Sequence, residues 1–329
     1  MPDAIRSIPE TLYARNGDVH IAYQAFGEGE VTFVGLPGII SNVELIWEDP
    51  EARRWLRRLG SFVRVVHYDK RGQGLSDRDT GVPTLDERLG DLAAVLGAVG
   101  VERVALGGVS EGGSTAAMFA ATYPERVSAL VMHSTFAWYD PALGDAAVPQ
   151  LAAHWGTPET LSIPLMSPHK VADADYVRYM NRVERMTTTP AGLLAAWRWI
   201  REVDLRPVLD SIQCPTLITH RTGDRLVPVE YGRYLAERIS GARLSRAKAT
   251  PTRRGRATRS WRCRPSKSSS PAVGKARVSP NGCWQPCCSP TSSTRPHARP
   301  RSGTEPGVSC STAMTASARA PCSTAAGAW

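Results

Sequence analysis

Five residues, Gly108-Val109-Ser110-Glu111-Gly112, restrict this chain more than any other stretch. Before them runs a short apolar segment, Val104 to Leu106, which suits a buried strand. After them Ala116, Ala117, Phe119 and Ala120 recur on one side of a helix that ends before Pro124. A G-x-S-x-G is common by chance, but one set between a buried strand and an Ala-rich helix reads as a nucleophile elbow. Its glycines are needed because the turn is sharp and strand and helix pass close together. The serine is held at the tip with Oγ exposed, over a helix N-terminus whose free N–H groups favour a developing oxyanion.

The rest of the chain to Leu244 alternates strand and helix patterns. Thr11–Arg15 and His20–Phe26 read as a hairpin turned at Asn16-Gly17-Asp18. Val31–Leu36 is a buried strand ending in a Pro37-Gly38 loop. Trp47–Arg58 is a helix with Trp55 and Leu56 facing inward, and Phe62–Tyr68 is another strand. A Gly-rich loop, Asp69–Asp77, leads to a helix over Thr84–Val99, where Thr84 and Glu87 have the spacing of a capping box. Strands follow at Val127–Met132 and Pro215–His220, then a helix at Val229–Ile239 and the start of a last strand at Gly241–Leu244. Strand–helix alternation with short loops predicts a mostly parallel sheet covered on both faces. Phe136–Asp210 breaks the rhythm with aromatic helical segments and predicts a helical cap over the C-terminal edge of the sheet, about 136–210. Its aromatics are expected to be packing contacts.

Charge divides the 329 residues at Leu244. Residues 1–244 carry a net −5 and residues 245–329 a net +14, so the basic character lies wholly in the tail. Cys214 is alone in the first part, whereas the other six cysteines are in the tail. No signal peptide opens the sequence and no apolar run approaches membrane-spanning length. The expectation is a reduced, soluble, cytoplasmic domain with no membrane partner.

Taken together, Gly108–Gly112, the Asp69–Asp77 loop, Tyr123-Pro-Glu-Arg-Val127 and Gly223-Asp-Arg-Leu-Val-Pro228 resemble the α/β-hydrolase superfamily over about residues 10–244. Leu36-Pro37-Gly38, Glu44–Pro50 and Ser110–Gly113 more narrowly resemble hydrolase-type domains that precede class III nucleotide cyclase domains in fusion proteins. The resemblance implies the α/β-hydrolase fold and hydrolysis of a small-molecule ester or similar bond through an acyl-enzyme. It implies Ser110 as nucleophile, Asp224 as triad acid, and an oxyanion site from the N–H of Glu111 with that of Gly38 or Ile39. The plainer role for Asp224 is a turn residue capping the next helix. No cofactor or metal is implied, and the expected partner is a small apolar substrate or ligand.

Two departures from the family pattern bear on activity. The triad histidine belongs after the last strand, and His297 is the only histidine beyond Leu244. Of His67, His133 and His220 at strand ends, His133 is the candidate base, against the plainer reading of a packed, hydrogen-bonded residue. Many family members also place a histidine before the glycine of the first loop, where this chain has Pro37. The alternative function is therefore a non-catalytic ligand-binding or regulatory module whose cyclase domain, once in cis, is lost.

Residues 245–329, rich in Ser, Pro, Arg, Ala and Thr, show neither helical nor strand period and predict no packed core. Its charge suits a basic nucleic-acid-binding tail, and Cys283, Cys287 and Cys288 suggest a metal site, but the cysteines lack a second ligand pair at zinc spacing. A third reading is a shifted frame. With GC-rich codons, the stretch Gly282–Arg295 read from the third base permits LLATVLFTDIVDST, similar to the opening strand of a class III cyclase domain. The expectation is a hydrolase domain over 1–244, lacking its last strand and helix, and a frameshifted, disordered tail over 245–329 with nucleic-acid binding disfavoured.

Overall fold

A computed structural model describes residues 7–141 and 145–248. In chain order the elements are β1 (Leu12–Asn16), β2 (Val19–Phe26), β3 (Thr32–Leu36), α1 (Pro50–Gly60), β4 (Arg64–Tyr68), α2 (Leu85–Ala98), β5 (Val104–Val109), α3 (Glu111–Thr122) and β6 (Val127–His133). The cap helices α4 (Val148–Ala153), α5 (Ser162–Met166), α6 (Ala174–Thr187) and α7 (Pro190–Glu202) follow, then β7 (Thr216–Thr222), α8 (Val229–Arg238) and β8 (Arg243–Lys248). The eight strands form one sheet in the order β1-β2-β4-β3-β5-β6-β7-β8. The β1–β2 and β2–β4 pairs are antiparallel and every other pair is parallel. This is the α/β-hydrolase architecture that the sequence resemblance implies.

The core forms where strand residues of one parity meet two helices. Val34, Val66, Leu106, Leu130, Met132 and Ile218 pack with Leu92, Val95 and Leu96 of α2 and with Ala116, Ala117, Phe119 and Ala120 of α3. Each fully buried Leu or Val there contributes about 1.5–3 kcal/mol. The small alanines bring α3 close to the sheet, so the elbow turn between β5 and α3 stays tight. The expected capping box is present: Thr84 Oγ1 accepts from the Glu87 N–H at 3.2 Å and the Glu87 carboxylate accepts from the Thr84 N–H at 2.7 Å.

Two expectations are corrected. Trp55 does not face inward; it is 56% exposed, whereas Trp47 is buried in a single 3₁₀ turn before α1. The helix starts only at Pro50, because Asp49 caps it by accepting from the Glu51 N–H and Pro50 suits its first position. That start turns Leu56 toward the sheet and Trp55 away. The last strand is also present. β8 continues beyond Leu244 to Lys248, paired with β7 from Leu217↔Arg243 to Thr222↔Lys248. Backbone pairing carries an edge strand whose side chains are too polar to give a hydrophobic signal. The expected lack of a helix after it, and the tail readings, fall outside the described residues.

The cap grows from the β6 end and is pinned at its neck. Trp138 and Asp204 form an antiparallel bridge, and the Leu205 N–H donates to the Ala137 carbonyl at 2.7 Å. Trp155 and Trp199 are buried, as packing contacts should be. Tyr176 and Tyr179 instead line an apolar cleft of about 320 Å³ with Trp55, Phe33, Val131 and His133, over the β3–β6 face of the sheet. Among the described residues no helix is long and apolar enough to cross a membrane.

Candidate active site

Ser110 sits at the β5–α3 turn with φ 52° and ψ −126°. A non-glycine residue rarely adopts positive φ, and the surrounding contacts must hold it there. They do so through the backbone: the Ser110 N–H donates to the His133 carbonyl at 3.0 Å, and the Ser110 carbonyl accepts from Thr135 Oγ1 at 2.6 Å and the Gly113 N–H at 3.0 Å. The glycines are required by contact. A Cβ on Gly108 would stand 2.4 Å from the Gly112 carbonyl oxygen, and one on Gly112 would stand 2.4 Å from the carbonyl oxygens of Leu36 and Pro37.

The loop after β3 closes on the serine from the other side. Gly38 approaches so nearly that an added Cβ would lie 3.3 Å from Ser110 Cβ. The structure thus brings Ser110, the first turn of α3 at Glu111, and the Gly38–Ile39 segment together. An oxyanion site needs backbone donors beside a nucleophile, and these are the two segments that flank Ser110. Ile39 packs its side chain between the Trp199 and Trp155 clusters, which ties the loop to the cap.

Asp224 lies after β7, as a triad acid would, but its carboxylate is engaged locally. Oδ1 accepts from the Leu226 and Val227 N–H groups at 3.0 and 3.1 Å, and Arg221 Nη2 is 3.7 Å from Oδ2. That is the turn-capping role, and it leaves Oδ2 for a further partner. His133 meets the nucleophile only through its carbonyl. Its ring pairs through Nδ1 with Thr219 Oγ1 at 2.9 Å. Burial lowers the His133 pKa, the His220 and Arg221 charges lower it further, and Asp224 opposes them. His220 bonds through Nε2 to the Val227 carbonyl at 2.8 Å, and His67 through Nε2 to Gln24 Oε1 at 2.9 Å. Among the described residues, then, one ring nitrogen of each of His67, His133 and His220 is bonded away from Ser110, and none of the three rings is hydrogen-bonded to the serine.

A buried ionic cluster beneath the elbow is the part that sequence reasoning missed. Glu111 is fully buried; one oxygen pairs with Lys70 and the other stands 3.8 Å from Arg88 Nη2. Arg88 in turn stacks its guanidinium 3.8 Å from the Trp199 ring. Arg71 forks onto Asp91 at 2.6 and 2.7 Å and reaches Glu87 at 2.7 Å. Asp69 accepts from Ser41 Oγ at 2.5 Å and from the Leu75 and Val43 N–H groups, and burial pushes its pKa up against these bonds. The only sequence signal was the run Asp69-Lys70-Arg71 in a glycine-rich loop, a pattern that usually marks a solvated turn. Among the described residues, no group of three or more His, Cys, Asp or Glu is placed to hold a metal ion.

Comparison with known proteins places the chain among hydrolases. Residues 55–249 match the family described as serine aminopeptidase, S33. The serine hydrolase BPHL of Mus musculus is 26% identical over 244 residues, covering 72% of this chain and 78% of that protein. The 3-oxoadipate enol-lactonase 2 of Acinetobacter baylyi is 26% identical over 236 residues, covering 70% and 85%. Among solved structures, a hydrolase from Pseudomonas aeruginosa superposes with a TM-score of 0.60 at 26% identity, covering 74% of this chain and 91% of that one.

Proposed function

The chain belongs to the α/β-hydrolase superfamily, in the serine aminopeptidase S33 family, and from that premise we propose that it is a serine-nucleophile hydrolase of small-molecule esters or similar bonds. The observation that carries the proposal is the strained elbow: Ser110 is held at φ 52° between two loops that converge on it. In this reading Ser110 Oγ attacks the substrate carbonyl, and the oxyanion is received by the N–H of Glu111 and one from Gly38–Ile39. Collapse of the tetrahedral intermediate breaks the bond to the alcohol, which leaves with the serine proton, and water then hydrolyses the acyl-enzyme to the carboxylic acid and free Ser110. Asp224 stands after β7, where a triad acid would orient a histidine base. The enol-lactonase relative supports an ester-type bond, and the aromatic cap supports an apolar substrate.

A serine hydroxyl needs a base, because it is a weak nucleophile at neutral pH. Among the described residues no histidine ring is hydrogen-bonded to Ser110, and a site without a base turns over several orders of magnitude more slowly than a complete triad. The same observation favours a second reading, a non-catalytic ligand-binding module; that it was once joined to a nucleotide cyclase rests on the sequence resemblance alone. Resequencing the coding DNA across codons 240–300 tests that history: an open alternative frame encoding a cyclase domain supports it, and its absence removes it. For the hydrolase reading, the test is hydrolysis of p-nitrophenyl acetate with covalent labelling by a fluorophosphonate. We expect slow turnover and labelling, both abolished by Ser110→Ala. Equal rates and labelling in wild type and Ser110→Ala overturn the hydrolase reading and leave the binding module.

A further inference from the structure

Lys70 joins the two chain segments that flank the nucleophile. Its ammonium donates to the Gly38 carbonyl at 2.6 Å and to the Glu111 carboxylate. The Lys70 side chain is 6% exposed and that of Glu111 0%, so the contact is shielded from water. Gly38 belongs to the loop after β3, and Glu111 directly follows Ser110. One buried cation therefore reaches both arms of the candidate oxyanion site.

The peptide geometry gives this contact a consequence. A trans peptide points its C=O and its N–H in opposite directions. Anchoring the Gly38 carbonyl on Lys70 Nζ, in the interior, turns the N–H of the same peptide unit, that of Ile39, away from the interior. Gly38 itself lies against Ser110. On the other arm, Glu111 opens α3, and the N–H groups of a first helical turn have no intrahelical acceptor. With its carboxylate held by Nζ below, its N–H keeps its place at the elbow. We propose that Lys70 is the positioning residue of the oxyanion site: it fixes the Ile39 and Glu111 N–H groups relative to each other beside Ser110 and selects Ile39, rather than Gly38, as the donor from the β3 loop. This rests on the hydrolase reading above.

Neighbouring contacts agree with this role. Arg88 approaches the second Glu111 oxygen while stacked on Trp199 of α7, so the cap bears on the same carboxylate. Burial draws the Lys70 pKa down to about 8, and the Glu111 charge opposes the shift, so Lys70 is charged at neutral pH. Ser41 and Val43 report on the loop, because their N–H groups donate to Thr187 Oγ1 at 3.3 Å and to Asp69 at 3.2 Å.

Lys70→Met alone strands a buried carboxylate and can unfold the chain, so the test variant is Lys70→Met with Glu111→Gln, in the full-length protein. We expect amide exchange at Ser41 and Val43 to rise about tenfold while the β5 amides are unchanged. We expect kcat for p-nitrophenyl acetate to fall by about 10–100-fold with KM nearly constant, the mark of a donor used only in the transition state. Unchanged exchange at Ser41 and Val43 overturns the clamp, whatever the wild type hydrolyses. Faster exchange with unchanged kcat overturns the positioning role. A wild type with no Ser110-dependent turnover removes the hydrolase reading and the oxyanion role with it, and the exchange data then show whether that loss is separate from the clamp.

Discussion

Ser110 carries two properties that pull in opposite directions, chemistry and strain. A residue other than glycine at positive φ costs about 1–3 kcal/mol, while glycine's own chain entropy costs about 0.5–1 kcal/mol. Ser110→Gly should therefore raise the unfolding free energy by about 1 kcal/mol while abolishing turnover, as measured by urea denaturation and ester hydrolysis. No gain in stability would mean that the turn holds no strain. The serine and its glycines were readable because the elbow is local: five adjacent residues in a strand–turn–helix context. His133 was not readable in the same way. β6 runs one residue beyond the expected Met132, so His133 continues the pleat, and successive side chains of a strand alternate faces. Its ring joins Val131 on the cleft face, opposite the buried Met132, and pairs with Thr219.

At the scale of elements, caps decided where helices begin and which face they bury. The capping box of α2 was legible because it depends on two residues three apart. Replacing Thr84 by Ala removes an acceptor for a helix N–H and a hydroxyl that meets the Glu87 carboxylate. We expect a loss of about 1 kcal/mol, read from the denaturation midpoint. An unchanged midpoint would show that the first turn frays in the folded protein. The inward face of α1 differs from the one the hydrophobic pattern predicts because the 3₁₀ turn at Leu45–Glu48 takes up residues that the pattern assigns to the helix. β8 was cut short for a different reason. Its partners are the backbone groups of β7, and the sequence beyond Leu244 offers Arg246 and Lys248. Arg246 is exposed, and a basic side chain on an edge strand opposes pairing with other chains.

At the scale of the whole molecule, one buried polar junction links the sheet to the segment before α1 and contributes to acid sensitivity. Gln24 Oε1 accepts from Trp47 Nε1 at 2.7 Å and from His67 Nε2 at 2.9 Å, while its amide donates to Pro9 and Thr11. Burial lowers the His67 pKa from 6.5 to about 4. The unfolded chain takes up this proton below pH 6.5 and the folded chain only near pH 4, so stability is full above pH 6.5 and falls as pH drops between these values. The loss reaches at most about 3 kcal/mol by pH 4. Wild type should lose more stability than His67→Gln between pH 7 and 4.5 in urea titrations; equal losses would place the sensitivity elsewhere. The sequence by itself determined the elbow, the alternation that makes a parallel sheet, the position of the cap and the α2 cap box, because each rests on residues close in the chain or on a repeated period. Only the tertiary structure decided which charges are buried and what they join. Lys70 and Glu111 are 41 residues apart, and their pairing exists because two parallel strands, β4 and β5, end at the same edge of the sheet with β3 between them. A run of charged residues in a loop is normally solvated; here the fold draws one of them under the nucleophile.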